Sequence, residues 1–131
     1  MKNLLYFAIA FVVLSACSEQ ATPEEEAAKA AQSYYALLAD NQPAAFLDAK
    51  VGADSLPEIY RAQMQKVYEQ YISEVNDKHG GIREVSISEN VGRRDSTLGI
   101  TYAFLILSFN DSIQEEVTVP MVEQNGVWLM K

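Results

Sequence analysis

The spacing of apolar residues changes once along this chain, from the 3.6-residue period of a helix before Gly80-Gly81 to the two-residue period of a strand after it. Upstream, Thr22-Pro23-Glu24-Glu25 has the form of a helix start, with Thr22 as N-cap, proline at the first helical position and Glu25 completing a capping box. Glu24, Glu25 and Glu26 suit the positive end of the helix dipole. Ala27, Ala31, Tyr34 and Leu38 then fall on one stripe, flanked by Tyr35 and Leu37 and opposed by Lys29, Gln32 and Ser33. Asp40 to Gln42 breaks this helix, and Pro43 opens a short second one carrying Ala45, Phe46 and Ala49. Ser55-Leu56-Pro57-Glu58 repeats the first cap, with Ser55 and Glu58 in the capping-box positions. A long stripe of Tyr60, Met64, Val67, Tyr68, Tyr71, Ile72 and Val75 follows, closed by Lys78, His79 and Gly80.

Downstream, Ile82 to Val91 alternates weakly, and Gly92 to Ser96 has the composition of a turn. Leu98 to Phe109 is apolar on both faces towards its end, as a central strand is. Asn110-Asp111-Ser112 turns the chain, and Ile113 to Val122 sets Val117, Val119 and Met121 on one face. Asn125-Gly126 is a hairpin turn before the last strand, Val127 to Met130. Helices followed by an antiparallel run predict an α+β fold, with the helices packed on one face of a curved sheet of about four strands.

The amino terminus reads differently. Lys2 precedes eleven apolar residues, Leu4 to Leu14, which end at Ser15-Ala16-Cys17. That is the layout of a secretory signal peptide. The run reaches only about half of the ~30 Å needed to span a bilayer. Leu14-Ser15-Ala16-Cys17 also resembles the lipobox of bacterial lipoproteins. The resemblance implies that residues 1–16 are removed and that Cys17 takes a lipid on its sulfur and an acyl group such as palmitate on its new amino terminus. Residues 17–22 would then form a lipidated tether to a domain of residues 23–131. The expected location is the bacterial cell envelope, at the outer membrane on its periplasmic or surface side, with the membrane itself as one partner. Cys17 is the only cysteine, so an intrachain disulfide is excluded.

Losing Lys2 would take the formal charge from −8 to −9, and such a surface repels phosphates. Nucleic acid is therefore not an expected partner. No dinucleotide or P-loop glycine pattern is present, and His79, the single histidine, lacks the companions of a metal site. Neither a metal nor a cofactor is expected.

The order of elements, together with the stretches AAQSYYALLADNQPAAFLD and Val122-x-x-Asn125-Gly126-x-Trp128, resembles the nuclear transport factor 2-like superfamily, and within it small bacterial lipoproteins whose domain has no assigned function. The resemblance implies a cone-shaped α+β domain in which a curved sheet closes over a helix to leave a pocket. Tyr34, Phe46, Tyr60, Tyr68, Tyr71, Tyr102 and Phe104 are the candidate lining residues. Catalytic members of the superfamily need an interior carboxylate; Glu115, near a turn, and Asp48, on a short helix, are the acids available. Neither is expected to be buried, so no catalytic residue is assigned. The expected function is a non-catalytic module that binds a small apolar ligand or an envelope protein, with an isomerase- or dehydratase-like enzyme as the alternative. Dimerisation through the exposed sheet face is a further possibility. Ser55, Ser96 and Ser112 follow aspartates in stretches that resemble the Asp-Ser/Thr-apolar sites at which Bacteroidetes attach O-glycans, although Asp and Ser are also the natural residues of turns.

Overall fold

The structure, a computed structural model, describes residues 20–131. The expected signal peptide and Cys17 lie outside the described residues.

Helix α1 runs from Pro23 to Ala39 and starts as the sequence dictates. The Thr22 hydroxyl accepts from the Glu25 amide at 3.1 Å, and the Thr22 amide donates to Glu25 Oε1 at 3.1 Å. Two of the unpaired first-turn donors are thereby satisfied. Helix α2 (Pro43–Asp48) follows, then a single 3₁₀ turn (Ala53–Ser55) and the long helix α3 (Glu58–His79).

The α3 start corrects one expectation. Its N-cap is Pro57, and Ser55 closes the 3₁₀ turn without capping α3. A Ser55 cap would require Leu56 to be helical, but the ring of Pro57 pushes the preceding residue into extended space. Leu56 accordingly sits at φ −72°, ψ 136°.

At the other end of α3, Gly80 takes the left-handed conformation at φ 76° and the chain is stitched to the sheet. The Asn110 side chain donates to the Gly80 carbonyl at 2.6 Å, and the amides of Asn110 and Asp111 donate to the carbonyls of Gly81 and His79. His79 stacks on Phe109, ring centroids 4.5 Å apart, and its Nδ1 lies 2.6 Å from Asp111 Oδ2.

Four strands, β1 (Ile82–Asp95), β2 (Ile100–Phe109), β3 (Gln114–Gln124) and β4 (Val127–Met130), form an antiparallel meander in the order β1-β2-β3-β4. A second correction lies in β1. Gly92 to Asp95, expected as a turn, pair with Ala103 to Ile100, and the turn is Ser96 to Gly99. Between the pairs Ile87↔Leu105 and Gly92↔Ala103, four β1 residues stand opposite Phe104 alone. This wide bulge puts Val91 at φ +59°, a strained position for a β-branched residue. Gly92 is required after it, because a Cβ there would lie 2.5 Å from the Tyr102 carbonyl oxygen.

Alternation along β2 sends Thr101, Ala103, Leu105, Leu107 and Phe109 to the helical face, where all are buried. The Asn125-Gly126 turn has positive φ at both residues, the geometry that matches strand twist in a two-residue hairpin. The core lies between α1 and the sheet. Ala27, Ala28 and Ala31 are fully buried, and with no side chain beyond Cβ they let α1 approach the strands closely. Gln32, expected on the solvent side, instead donates to the Val85 carbonyl of β1 at 3.0 Å.

Candidate functional site

Helix α3 is attached to the sheet at its C-terminal end, where Ile72 and Val75 are buried, while Tyr60 and Val67 in its first half are about half exposed. Beneath it lies a cavity of about 400 Å³. Its walls are Tyr68 and Tyr71 of α3, Tyr35 and Leu38 of α1, and Phe46 of α2; its floor is the β3 ladder of Glu115, Val117 and Val119. Phe46 holds the aromatic wall together, meeting Tyr35 edge-on at 5.3 Å and Tyr68 at 4.9 Å.

One end of the cavity is set by a contact far apart in sequence. The Met130 amide donates to the Ala49 carbonyl and the Val51 amide donates to the Met130 carbonyl, so the chain after α2 runs beside β4 and places Lys50 against the cavity. Burial lowers the Lys50 ammonium below the ordinary lysine pKa. At the other end, among the described residues, the first part of β3 has no neighbour on its outer side, since β4 pairs only with Met121 to Gln124, and Glu115 stands exposed at the rim.

The tyrosines are the polar groups of the wall. Burial raises the pKa of Tyr35, with smaller contributions from Tyr71 and Glu115. Tyr68 is raised by burial and then by Tyr35 and Tyr60, and Tyr71 by burial and then by Glu115. Among the described residues, none of these three hydroxyls makes a hydrogen bond to the protein, so each is free for a ligand.

Of the candidate lining residues, Phe46, Tyr68 and Tyr71 meet at the cavity. Tyr34 does not line it: its hydroxyl donates to the Trp128 carbonyl at 2.5 Å and ties α1 to β4. Tyr60 is half exposed, about two turns before the cavity begins at Val67. Tyr102 and Phe104 occupy the opposite face of the sheet, because the buried parity of β2 is odd-numbered; there the Arg93 guanidinium lies 4.9 Å from the Tyr102 ring centroid. Tyr35 and Lys50 were not among the candidates. Tyr35 was legible as a flank of the α1 stripe, whereas only the pairing with Met130 locates Lys50.

Asp48 is exposed and paired with Arg61, which links α2 to α3. Ser55, Ser96 and Ser112 are exposed. The neighbouring aspartates serve the turns: Asp95 accepts from the amides of Thr97 and Leu98, and Asp111 from that of Ile113. Among the described residues no group of three His, Cys, Asp or Glu side chains is placed to hold a metal ion.

No family model matches the chain, and no curated protein matches it. Among solved structures it is similar to a Campylobacter jejuni protein that carries the name nuclear transport factor 2-like transpeptidase, with a TM-score of 0.60 over 76% of this chain and 92% of that one. The two are 10% identical, so the likeness shows the fold: helices on one face of an open four-stranded sheet, of the nuclear transport factor 2-like type.

Proposed function

We propose that this domain is a non-catalytic module that binds a small, largely apolar ligand beneath α3, and that Cys17 carries it on a lipid anchor in the bacterial cell envelope. The observation that carries the reading is the open aromatic cavity of about 400 Å³, within the roughly 300 to 1,000 Å³ of ordinary ligand sites. Its surface is mostly carbon, with a few convergent polar groups to orient what enters. The alternative, an isomerase- or dehydratase-like enzyme, needs an acid whose proton affinity is set by burial. Glu115 is the acid at this cavity; it is exposed, and among the described residues no hydrogen bond joins it to Tyr35 or Tyr71. Binding is therefore the better-supported use.

Titration of the full chain with Nile red, read by dye fluorescence, tests the cavity. Val67→Trp places a large side chain at the half-exposed rim and should abolish saturable binding while the fold is retained. Equal binding by both chains would place the dye elsewhere and refute the reading. The anchor has its own test: Cys17→Ser should move the chain from the membrane fraction to the soluble one.

A second surface supports association. Tyr102, Phe104 and Ile106 of β2 project from the face of the sheet opposite the helices and are partly exposed. A homodimer packed on this face would show as a doubled mass in sedimentation, reverted by Phe104→Glu.

A further inference from the structure

We infer that the first half of β3 is a docking edge for an extended, basic segment of a partner protein, which joins the sheet beside Gln114 to Thr118. This goes beyond the ligand-binding role proposed above and does not depend on it.

Two backbone bonds fix which way the groups of β3 point. The Phe109 amide donates to the Ile113 carbonyl, so the odd-numbered residues that follow turn their amides and carbonyls to β2. The Lys131 amide donates to the Pro120 carbonyl, so even-numbered residues turn theirs outward. From Met121 onwards the outward row is met by β4. Before it, Gln114, Glu116 and Thr118 each present an amide and a carbonyl to solvent. Among the described residues none of these groups is hydrogen-bonded to the protein, and all three residues are exposed. Pro120 closes the row, since it has no amide and its carbonyl is taken. The other edge of the sheet, β1, is by contrast guarded by its wide bulge and by the Gln32 side chain on the Val85 carbonyl.

Charge selects the occupant. Glu115 and Glu116 project from opposite faces of this edge, both exposed and, among the described residues, neither paired with a cation. A second copy pairing antiparallel along Gln114 to Thr118 would bring glutamates opposite or diagonal to one another, which is destabilising. The formal charge of −8 opposes self-association in the same sense. A basic strand gains at both positions: its residue opposite Glu115 lies on the helical face, its residue opposite Glu116 on the other, and Lys or Arg suits each. The residue opposite Val117 lies beside the apolar floor of the cavity and is uncharged. Main-chain bonds supply affinity whatever the sequence, and this order of apolar, basic, basic supplies the selection.

The test is fluorescence anisotropy of the purified full chain with a fluorescein-labelled, end-capped heptapeptide, Thr-Val-Thr-Leu-Lys-Lys-Thr. Two controls accompany it: the same peptide with both lysines replaced by glutamate, and the peptide N-methylated at its first lysine, which keeps the charge and removes the amide that faces Glu116. The lysine peptide should saturate and bind about tenfold more tightly than either control. Thr118→Pro removes one outward amide and leaves the ladder to β2 intact, so it should unfold cooperatively in urea and weaken the lysine peptide about tenfold. Glu116→Lys, an exposed change that reads the same edge should the proline variant fail to fold, should abolish the preference for lysine over glutamate. Absence of saturable binding, or equal binding of the glutamate peptide, would overturn the inference. An N-methylated peptide as tight as its parent would show charge attraction without strand pairing and would overturn it too. A doubled mass in sedimentation that Thr118→Pro abolishes would assign the edge to a second copy and overturn it likewise.

Discussion

Replacing Gly92 by alanine tests the register of the sheet at its tightest point. The added Cβ would lie 2.5 Å from the Tyr102 carbonyl oxygen, against 3.4 Å or more for ordinary contact. The strands must therefore separate locally by about 0.9 Å, and the obstacle is backbone, which has no rotamer to change. Overpacking of this kind costs about 1–3 kcal/mol, and loosening one or two ladder hydrogen bonds adds roughly 0.5–1.5 kcal/mol each. The stiffer unfolded chain returns about 0.4–1 kcal/mol, leaving a net loss of about 2–3 kcal/mol. For a domain of this size that lowers the melting temperature by roughly 8–15 °C. Urea unfolding followed by the fluorescence of Trp128, the only tryptophan, measures it directly. Ser96→Ala, in the exposed turn, should change stability by less than about 0.5 kcal/mol. If Gly92→Ala were equally silent, residues 92 to 95 would be a loop and the pairing with Ala103 to Ile100 would be wrong.

Leu105 is fully buried between α1 and the sheet, so Leu105→Ala should cost about 2–5 kcal/mol in the same urea assay. The hydrogen bond from His79 holds the Asp111 carboxyl below its ordinary pKa, so its stabilising effect is present above the unfolded carboxyl pKa and is lost as pH falls through the folded one. Asp111→Asn should flatten that acid limb when urea midpoints are compared across the carboxylate range. Tyr35, Tyr68 and Tyr71 are raised by burial, so the unfolded chain releases these protons first and stability falls as pH rises above the ordinary tyrosine range. Ultraviolet titration should show these three ionising above the ordinary tyrosine range, and Tyr→Phe at each should soften the alkaline loss. Replacing Asn125-Gly126 by two alanines puts both in left-handed space and should cost about 1–2 kcal/mol each, read by thermal melting.

What could be read from the sequence was what local chemistry decides. The α1 cap needs only four consecutive residues, and the Asn125-Gly126 turn only two, so both follow from composition and spacing. The Ser55 cap failed through an equally local rule, the restriction that Pro57 imposes on Leu56. Gly92 to Asp95 has the residues of a turn, yet Arg93 and Arg94 are exposed members of an outer strand, and the glycine serves a close approach visible only once β2 lies beside it. The cavity divides in the same way. Phe46, Tyr68 and Tyr71 are aimed by helical periodicity. Tyr102 and Phe104 depend on which face of β2 is covered, and a strand apolar on both faces carries no parity signal. Lys50 depends on a pairing with Met130, eighty residues away.

The central claim is that the space beneath α3 holds a ligand. Native mass spectrometry of the full chain, recovered gently from the cells that produce it, addresses it most directly. A retained small mass that is absent from the Val67→Trp variant prepared in the same way is the expected result. Wild-type protein free of any such mass, or a retained mass that Val67→Trp leaves unchanged, would contradict it.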